Sequence, residues 1–206
     1  SFFTPAWRAG LISSFSSALT LVVFYLLLKK IISKASAAHC IPTALFGTLT
    51  LAFLYPFWLY SELAEVFALN NLFVILLTYL FFNIVSMYRY IDTKKANQIL
   101  RNVALFFFIL GFSLAHHHTI ILLFPAFAYL AFKNRNKFKF QKKQFIFYFF
   151  FFILGFSFYI YPLLACRKTP LVCWNDPINF KNLVRLITRA DYGTFKSSGS
   201  LGNMPV

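Results

Sequence analysis

The chain has 206 residues, of which 60% are hydrophobic and 12% charged, with 30 phenylalanines. A soluble domain carries roughly 25% charged residues, so water is the wrong solvent for most of this surface. The formal net charge of +15 reads as a topology signal at a membrane, with anionic-lipid contact, and the nucleic-acid reading of the basic loops is set aside.

Six apolar runs have about the length a helix needs to cross roughly 30 Å of hydrocarbon. In chain order they are residues 10–28, 43–60, 66–85, 103–115, 119–132 and 145–164. Residues 97–100 extend the short fourth run, and the histidine triplet extends the short fifth. Continuous apolarity without alternation predicts helices and not a barrel, hence an all-α, polytopic membrane protein. Residues 1–165 form the expected transmembrane domain, and 166–206 an outer segment.

The loop after the first run holds Lys29, Lys30 and Lys34, and the loop after the third holds Arg89, Lys94, Lys95 and Arg101. The loop after the fifth holds Lys133, Arg135, Lys137, Lys139, Lys142 and Lys143, and Asp92 is the one acid among these three loops. By the positive-inside rule these loops are cytoplasmic, which puts both ends of the sequence outside or in a lumen. Four of the five acids then face outward: Glu62, Glu65, Asp176 and Asp191.

On the outward side, the turn after the second run reads Ser61-Glu62-Leu63-Ala64-Glu65. Two residues three apart share a face of a helical turn, and a carboxylate at the hydrocarbon boundary is costly unless paired, solvated or used. Capping of the helix that starts at Val66 is the competing reading. Asn70 and Asn71 lie deeper, where polar groups tend to face a bundle interior. His116, His117 and His118 join the fourth and fifth runs. Adjacent side chains on a helix diverge by about 100°, so the triplet alone is no metal site. One or two imidazoles are expected to reach a polar cavity as proton carriers or phosphate donors, while the others satisfy helix ends; a turn without a task is the alternative.

Beyond Pro162, residues 179–189 read as an amphipathic helix with Leu183, Val184, Leu186 and Ile187 on one face and Lys181, Arg185 and Arg189 on another. Such a helix lies flat on the outer surface, either as an anchor or with its arginines on an anionic headgroup. Cys166 and Cys173 sit on the oxidising side, so a disulfide is open. The Phe-rich runs 106–108 and 149–152 read as lipid-facing. No Gly-rich phosphate loop, nucleophile elbow or Cys-x-x-Cys pair occurs in the chain. The abrupt start at Ser1 and the loop-like 196–202 are expected of a piece of a longer polytopic protein.

Three segments resemble one family in order. Residues 57–70 end in Ala64-Glu65-Val66-Phe67-Ala68-Leu69-Asn70, similar to that family's Ala-Glu-Val-Tyr-Ala-Leu-Asn. Residues 110–119, with Gly111-Phe112-Ser113-Leu114 and His116-His117-His118-Thr119, resemble its Gly-Leu-Ser-Leu-x-x-His-His-Thr. Trp174-Asn175-Asp176 and the later Arg189-Ala190-Asp191-Tyr192-Gly193-Thr194-Phe195 resemble its Trp-Gly-Asp and Arg-x-x-Tyr-Gly-Thr-Phe. The departures are Phe67 for Tyr, a third His, and Asn175 for Gly. The family is typified in animals by transmembrane protein 260, a protein O-mannosyltransferase of the GT-C superfamily, with many bacterial relatives.

The resemblance implies a GT-C-like fold and inverting transfer of a sugar, mannose first, from a polyprenyl-phosphate carrier to an acceptor protein or glycan, protein Ser/Thr first, on the outer or lumenal face. It implies no cofactor and no metal, and puts the catalytic base on an outer loop upstream of this sequence, so no base is assigned. Glu62, Glu65 and His117 are expected in support. Asn70, His116, His118, Arg185, Arg189, Asp191 and Tyr192 are expected around the substrate. A transporter or flippase for a lipid-linked or small substrate is the competing class; it calls for mid-membrane polar groups and a half-repeat, neither of which is clear. Composition and the bacterial relatives favour a bacterial plasma membrane over an endoplasmic reticulum.

Overall fold

The computed structural model describes residues 4–88, 93–136, 142–168, 173 and 177–188. Among them all regular structure is helical: α1 Pro5–Ile32, α2 Cys40–Ala52, α3 Tyr55–Glu62, α4 Val66–Met87 and α5 Thr93–His116. A 3-10 helix His118–Leu123 then leads into α6 Phe124–Lys133, followed by α7 Lys142–Phe156, a 3-10 turn Ser157–Tyr159, α8 Ile160–Cys166 and α9 Phe180–Thr188. The chain divides into two compact units, Ser1–Phe156 and Ser157–Val206.

Four helical runs are long and apolar enough to cross a membrane: Pro5–Ile32, Val66–Met87, Asn97–His116 and Lys142–Cys166. The expected second span is broken, because α2 and α3 meet at a bend of 63°; taken as one they make a fifth span. A proline ring collides with the carbonyl four residues back, and for Pro56 that residue is Ala52, where α2 ends. Leu54 bridges the two helices with extended backbone, φ −65° and ψ 126°. The expected fifth span is six residues of 3-10 helix followed by ten of α6, which begins with a proline in its first turn. At their respective rises these cover roughly 27 Å, just short of the hydrocarbon thickness. Four to five helices thus meet the length requirement, where the sequence suggested six.

In the first unit, α1 packs against α2, α3 and α4, α4 against α5, and α5 against α7. Small residues at i, i+3, i+4 and i+7 of α1 (Ser13, Ser16, Ser17 and Thr20) are all buried, which lets backbones approach closely in an apolar solvent. Two of the hydroxyls fold back onto their own helix: Ser13 Oγ donates to the Ala9 carbonyl at 3.4 Å and Thr20 Oγ1 to the Ser16 carbonyl at 2.8 Å. Near the other end of α1, Lys30 Nζ donates to Oδ1 of the buried Asn83 on α4. The core lies among α4, α5, the 3-10 helix and α7, with Leu77 and Ile120 fully enclosed.

Two glycines set the α5–α7 crossing. A Cβ on Gly111 would lie 2.1 Å from the Phe152 carbonyl oxygen, and a Cβ on Gly155 would lie 2.1 Å from that of Phe108. The helices therefore touch backbone to backbone there. Of the run 149–152 on α7, Phe149 and Phe150 are exposed as expected of a lipid-facing run, whereas Phe151 and Phe152 are half-buried and pack against the core. The run 106–108 departs from that expectation: Phe106 is buried in the core and Phe107 stacks on Tyr148 at 5.8 Å. The α5–α7 crossing turns that face inward.

In the second unit, Cys166 and Cys173 are joined in a disulfide, with Cα atoms 5.6 Å apart. Asn179 caps α9 by accepting from the Asn182 amide at 2.8 Å. Of the expected apolar face of α9, Leu183, Leu186 and Ile187 are half-buried and Val184 is exposed; Lys181 and Arg185 of the basic face are exposed, and Arg189 lies outside the described residues.

Candidate functional site

The acidic turn differs from the expected single helical turn. Glu62 is the last residue of α3, and Glu65 is the N-cap of α4, with Leu63 (ψ 141°) and Glu65 (ψ 160°) both extended. The two carboxylates therefore do not share a helical face. Glu65 occupies the capping position, yet its side chain makes no capping hydrogen bond. The residue is exposed at the start of α4. The turn is held by α1, where Ser14 Oγ donates to the Ser61 carbonyl at 2.9 Å. A Cβ on Gly10 would stand 3.6 Å from the Glu62 carbonyl, which is ordinary contact.

The three histidines diverge as their spacing demands. His116 ends α5, and its Nε2 is 3.1 Å from the Val66 carbonyl. A carbonyl only accepts, so Nε2 carries a proton. Its ring also meets Phe73 edge-on at 5.7 Å. His117 has extended backbone and stands at the N-cap of the 3-10 helix, its Nδ1 3.4 Å from the Thr119 amide nitrogen. That Nδ1 also lies 2.7 Å from Thr119 Oγ1, and this hydroxyl donates to Asn70 Oδ1 at 3.3 Å. His118 opens the 3-10 helix.

Two groups of site residues are thereby brought together. Glu65 and His116 line one cavity of about 210 Å³ with Ala9, Ser13, Val66 and Leu69. His117, Thr119 and Asn70 form a hydrogen-bonded chain from the α5 end to the first turns of α4. The first group sits beside Ser13 of α1, some 20 residues and roughly 30 Å from Lys34. The separation of acidic and basic ends expected from the loops holds for Glu62, Glu65 and the histidines. Among the described residues no three His, Cys, Asp or Glu side chains gather as metal ligands would.

Beside the site, the α2–α3 bend and α4 enclose an aromatic cleft of about 370 Å³ lined by Pro56, Phe57, Tyr60, Phe67 and Asn71. Arg185 is exposed on α9 of the second unit. Arg189, Asp176, Asp191 and Tyr192 lie outside the described residues.

Sequence reasoning passed over Thr119 and the α1 wall at Ala9 and Ser13. Thr119 ends the His-His-His-Thr string, and a hydroxyl beside imidazoles was the available signal. Nothing local marks Ser13, because its role comes from helix packing.

A family model described as "Protein O-mannosyl-transferase TMEM260 N-terminal domain" matches residues 1–140, which take in α1 to α6 and so every site residue of the first unit. Neither the curated proteins nor the solved structures yield a match.

Proposed function

The chain belongs to the protein O-mannosyl-transferase TMEM260 N-terminal domain family, and from that premise we propose that it takes part in transfer of mannose from a polyprenyl-phosphate carrier to a hydroxyl of an acceptor protein at the outer or lumenal membrane face. In such a transfer the acceptor oxygen bonds to the sugar C1. The bond from C1 to the phosphate oxygen breaks, and its electron pair leaves with the phosphate. The acceptor proton passes to a general base, a role we assign to none of the described residues. Inversion at C1 and a GT-C-like fold belong to this same proposal.

The observation that carries the reading is the gathering, at one helix end, of an exposed carboxylate that makes no capping hydrogen bond and of two imidazoles held in place by α4. Negative charge developing on a leaving phosphate is stabilised by preorganised donors. We assign that task to His117 and His118. His117 is pre-oriented by Thr119 and Asn70. Glu65 and His116 share a cavity, where Glu65, with Glu62 near it in sequence, orients sugar or acceptor hydroxyls. The aromatic cleft at Tyr60 and Phe67 suits the first isoprene units of the carrier. No cofactor or metal enters the scheme.

The disulfide supports an outward or lumenal location of the second unit, because such bonds persist in oxidising compartments. A bacterial plasma membrane is the proposed setting. The test is transfer from polyprenyl-phosphate mannose by the intact protein. Glu65→Gln and His117→Ala should each abolish transfer without lowering membrane abundance, and full activity in both would refute the assignment.

A further inference from the structure

We infer that the basic end of the first unit carries a seat for the phosphate of an anionic phospholipid, in a cavity of about 280 Å³ between α4, α6 and the turn after α1. The inference does not depend on the sugar-transfer reading. Lys34, just past α1, and Lys133, the last residue of α6, both line this cavity, and among the described residues no carboxylate does. Ser86 and Asn134 add a hydroxyl and an amide to the same lining.

Lys34 does not behave as a loop lysine that merely marks topology. Its ammonium donates to Ser86 Oγ at 3.2 Å and stands 4.2 Å from the centre of the Phe82 ring. The hydroxyl and the ring face hold the charge against α4, so less side-chain freedom is lost when an anion arrives. Deeper in, the lining turns apolar, with Phe81, Val85, Phe127 and Leu130. Thr78 lies about 12 Å further along α4 than Ser86, and its hydroxyl already donates to the Val74 carbonyl at 2.7 Å.

Cations at the helix ends with hydrocarbon below them match the order of groups in a phospholipid. Free phosphate would have no use for the apolar wall, and a zwitterionic headgroup would bring its own cation beside two lysines. Basic pockets between membrane helices are known to take anionic headgroups. The chemistry assigned is therefore a phosphodiester with net negative charge and an acyl chain along α4 and α6.

The experiment titrates the purified protein in neutral detergent with phosphatidylglycerol, phosphatidylcholine or inorganic phosphate, reading occupancy by native mass spectrometry. Phosphatidylglycerol should bind at least tenfold more tightly than phosphatidylcholine, and millimolar inorganic phosphate should not displace it. Lys34→Gln with Lys133→Gln should remove the tenfold preference. Lys142→Gln with Lys143→Gln, which takes the same charge from the start of α7, should leave it in place. Equal loss in both double variants, equal binding of the two lipids, or displacement by phosphate would each overturn the proposal. If the first double variant does not accumulate, Lys133→Gln alone, at an exposed position, should weaken phosphatidylglycerol about threefold, and unchanged binding would overturn it.

Discussion

Gly111 lies five residues before His116, about 7.5 Å along α5, so the α5–α7 crossing and the histidine site move together. In Gly111→Ala the new Cβ would meet the Phe152 carbonyl oxygen at 2.1 Å and the Phe156 nitrogen at 2.8 Å. Both neighbours are backbone, and no rotamer change relieves them. The helices must part by about 1 Å to reach ordinary contact distance. Overpacking of this kind costs roughly 1–3 kcal/mol, and the better helix propensity of Ala returns at most about 1 kcal/mol. Destabilisation wins, by about 1–2 kcal/mol, which is a fall in Tm of roughly 2–8 °C. Gly155→Ala collides across the same crossing, with the Phe108 oxygen at 2.1 Å and the Phe112 nitrogen at 2.8 Å. A separation that admits one methyl group admits the other, so the double variant should cost clearly less than the two single costs combined. Because a 1 Å misplacement can cost about a hundredfold in rate, transfer should fall more than stability does. The assays are thermal unfolding in detergent and mannosyl transfer on the folded fraction. A Gly111→Ala protein with wild-type Tm, or strictly additive single and double variants, would refute the backbone-contact argument.

Thr119→Val keeps the shape of the residue but removes the hydroxyl between His117 and Asn70; transfer should drop about three- to tenfold, the value of one hydrogen bond, while Thr119→Ser retains most of it. Asn83→Leu leaves the Lys30 ammonium without its acceptor on α4 and should lower stability by about 1–3 kcal/mol, whereas Lys30→Met added to it should recover most of the loss. Glu65→Gln removes a charge that makes no capping bond, so its unfolding midpoint should stay within about 0.5 kcal/mol of wild type; a larger loss would show that the carboxylate is structural. Of the three cysteines, only Cys40 is free, and maleimide labelling of unfolded, unreduced protein should therefore add one tag, rising to three after reduction.

Much of the site was legible before the fold. Glu65, His116, His117 and Asn70 stood out because polar groups at the edge of hydrocarbon are costly and therefore carry a reason. The divergence of the histidines followed from helical rotation alone. What misled was the spacing of Glu62 and Glu65: three residues apart means one face only if the helix runs through, and α3 ends at Glu62. Pro56 was a local warning of the break at the α2–α3 bend. The position of Phe106 could not be read locally, since a phenylalanine facing lipid and one facing another helix have the same chemistry.

Solvent preference is a sum over residues, so composition pointed to a bilayer, unbroken apolar runs pointed to helices, and the placement of lysines and arginines separated a basic end from an acidic one. Tertiary structure decided which polar groups meet. The bond from His116 to Val66 joins residues 50 apart, and that from Thr119 to Asn70 joins residues 49 apart. Such pairings depend on how closely helices can approach, which here rests on two glycines at one crossing and four small residues on α1. Lipid is as apolar as leucine, so burial cannot discriminate among arrangements of these helices. Shape and hydrogen bonding do, and both are properties of the assembled bundle.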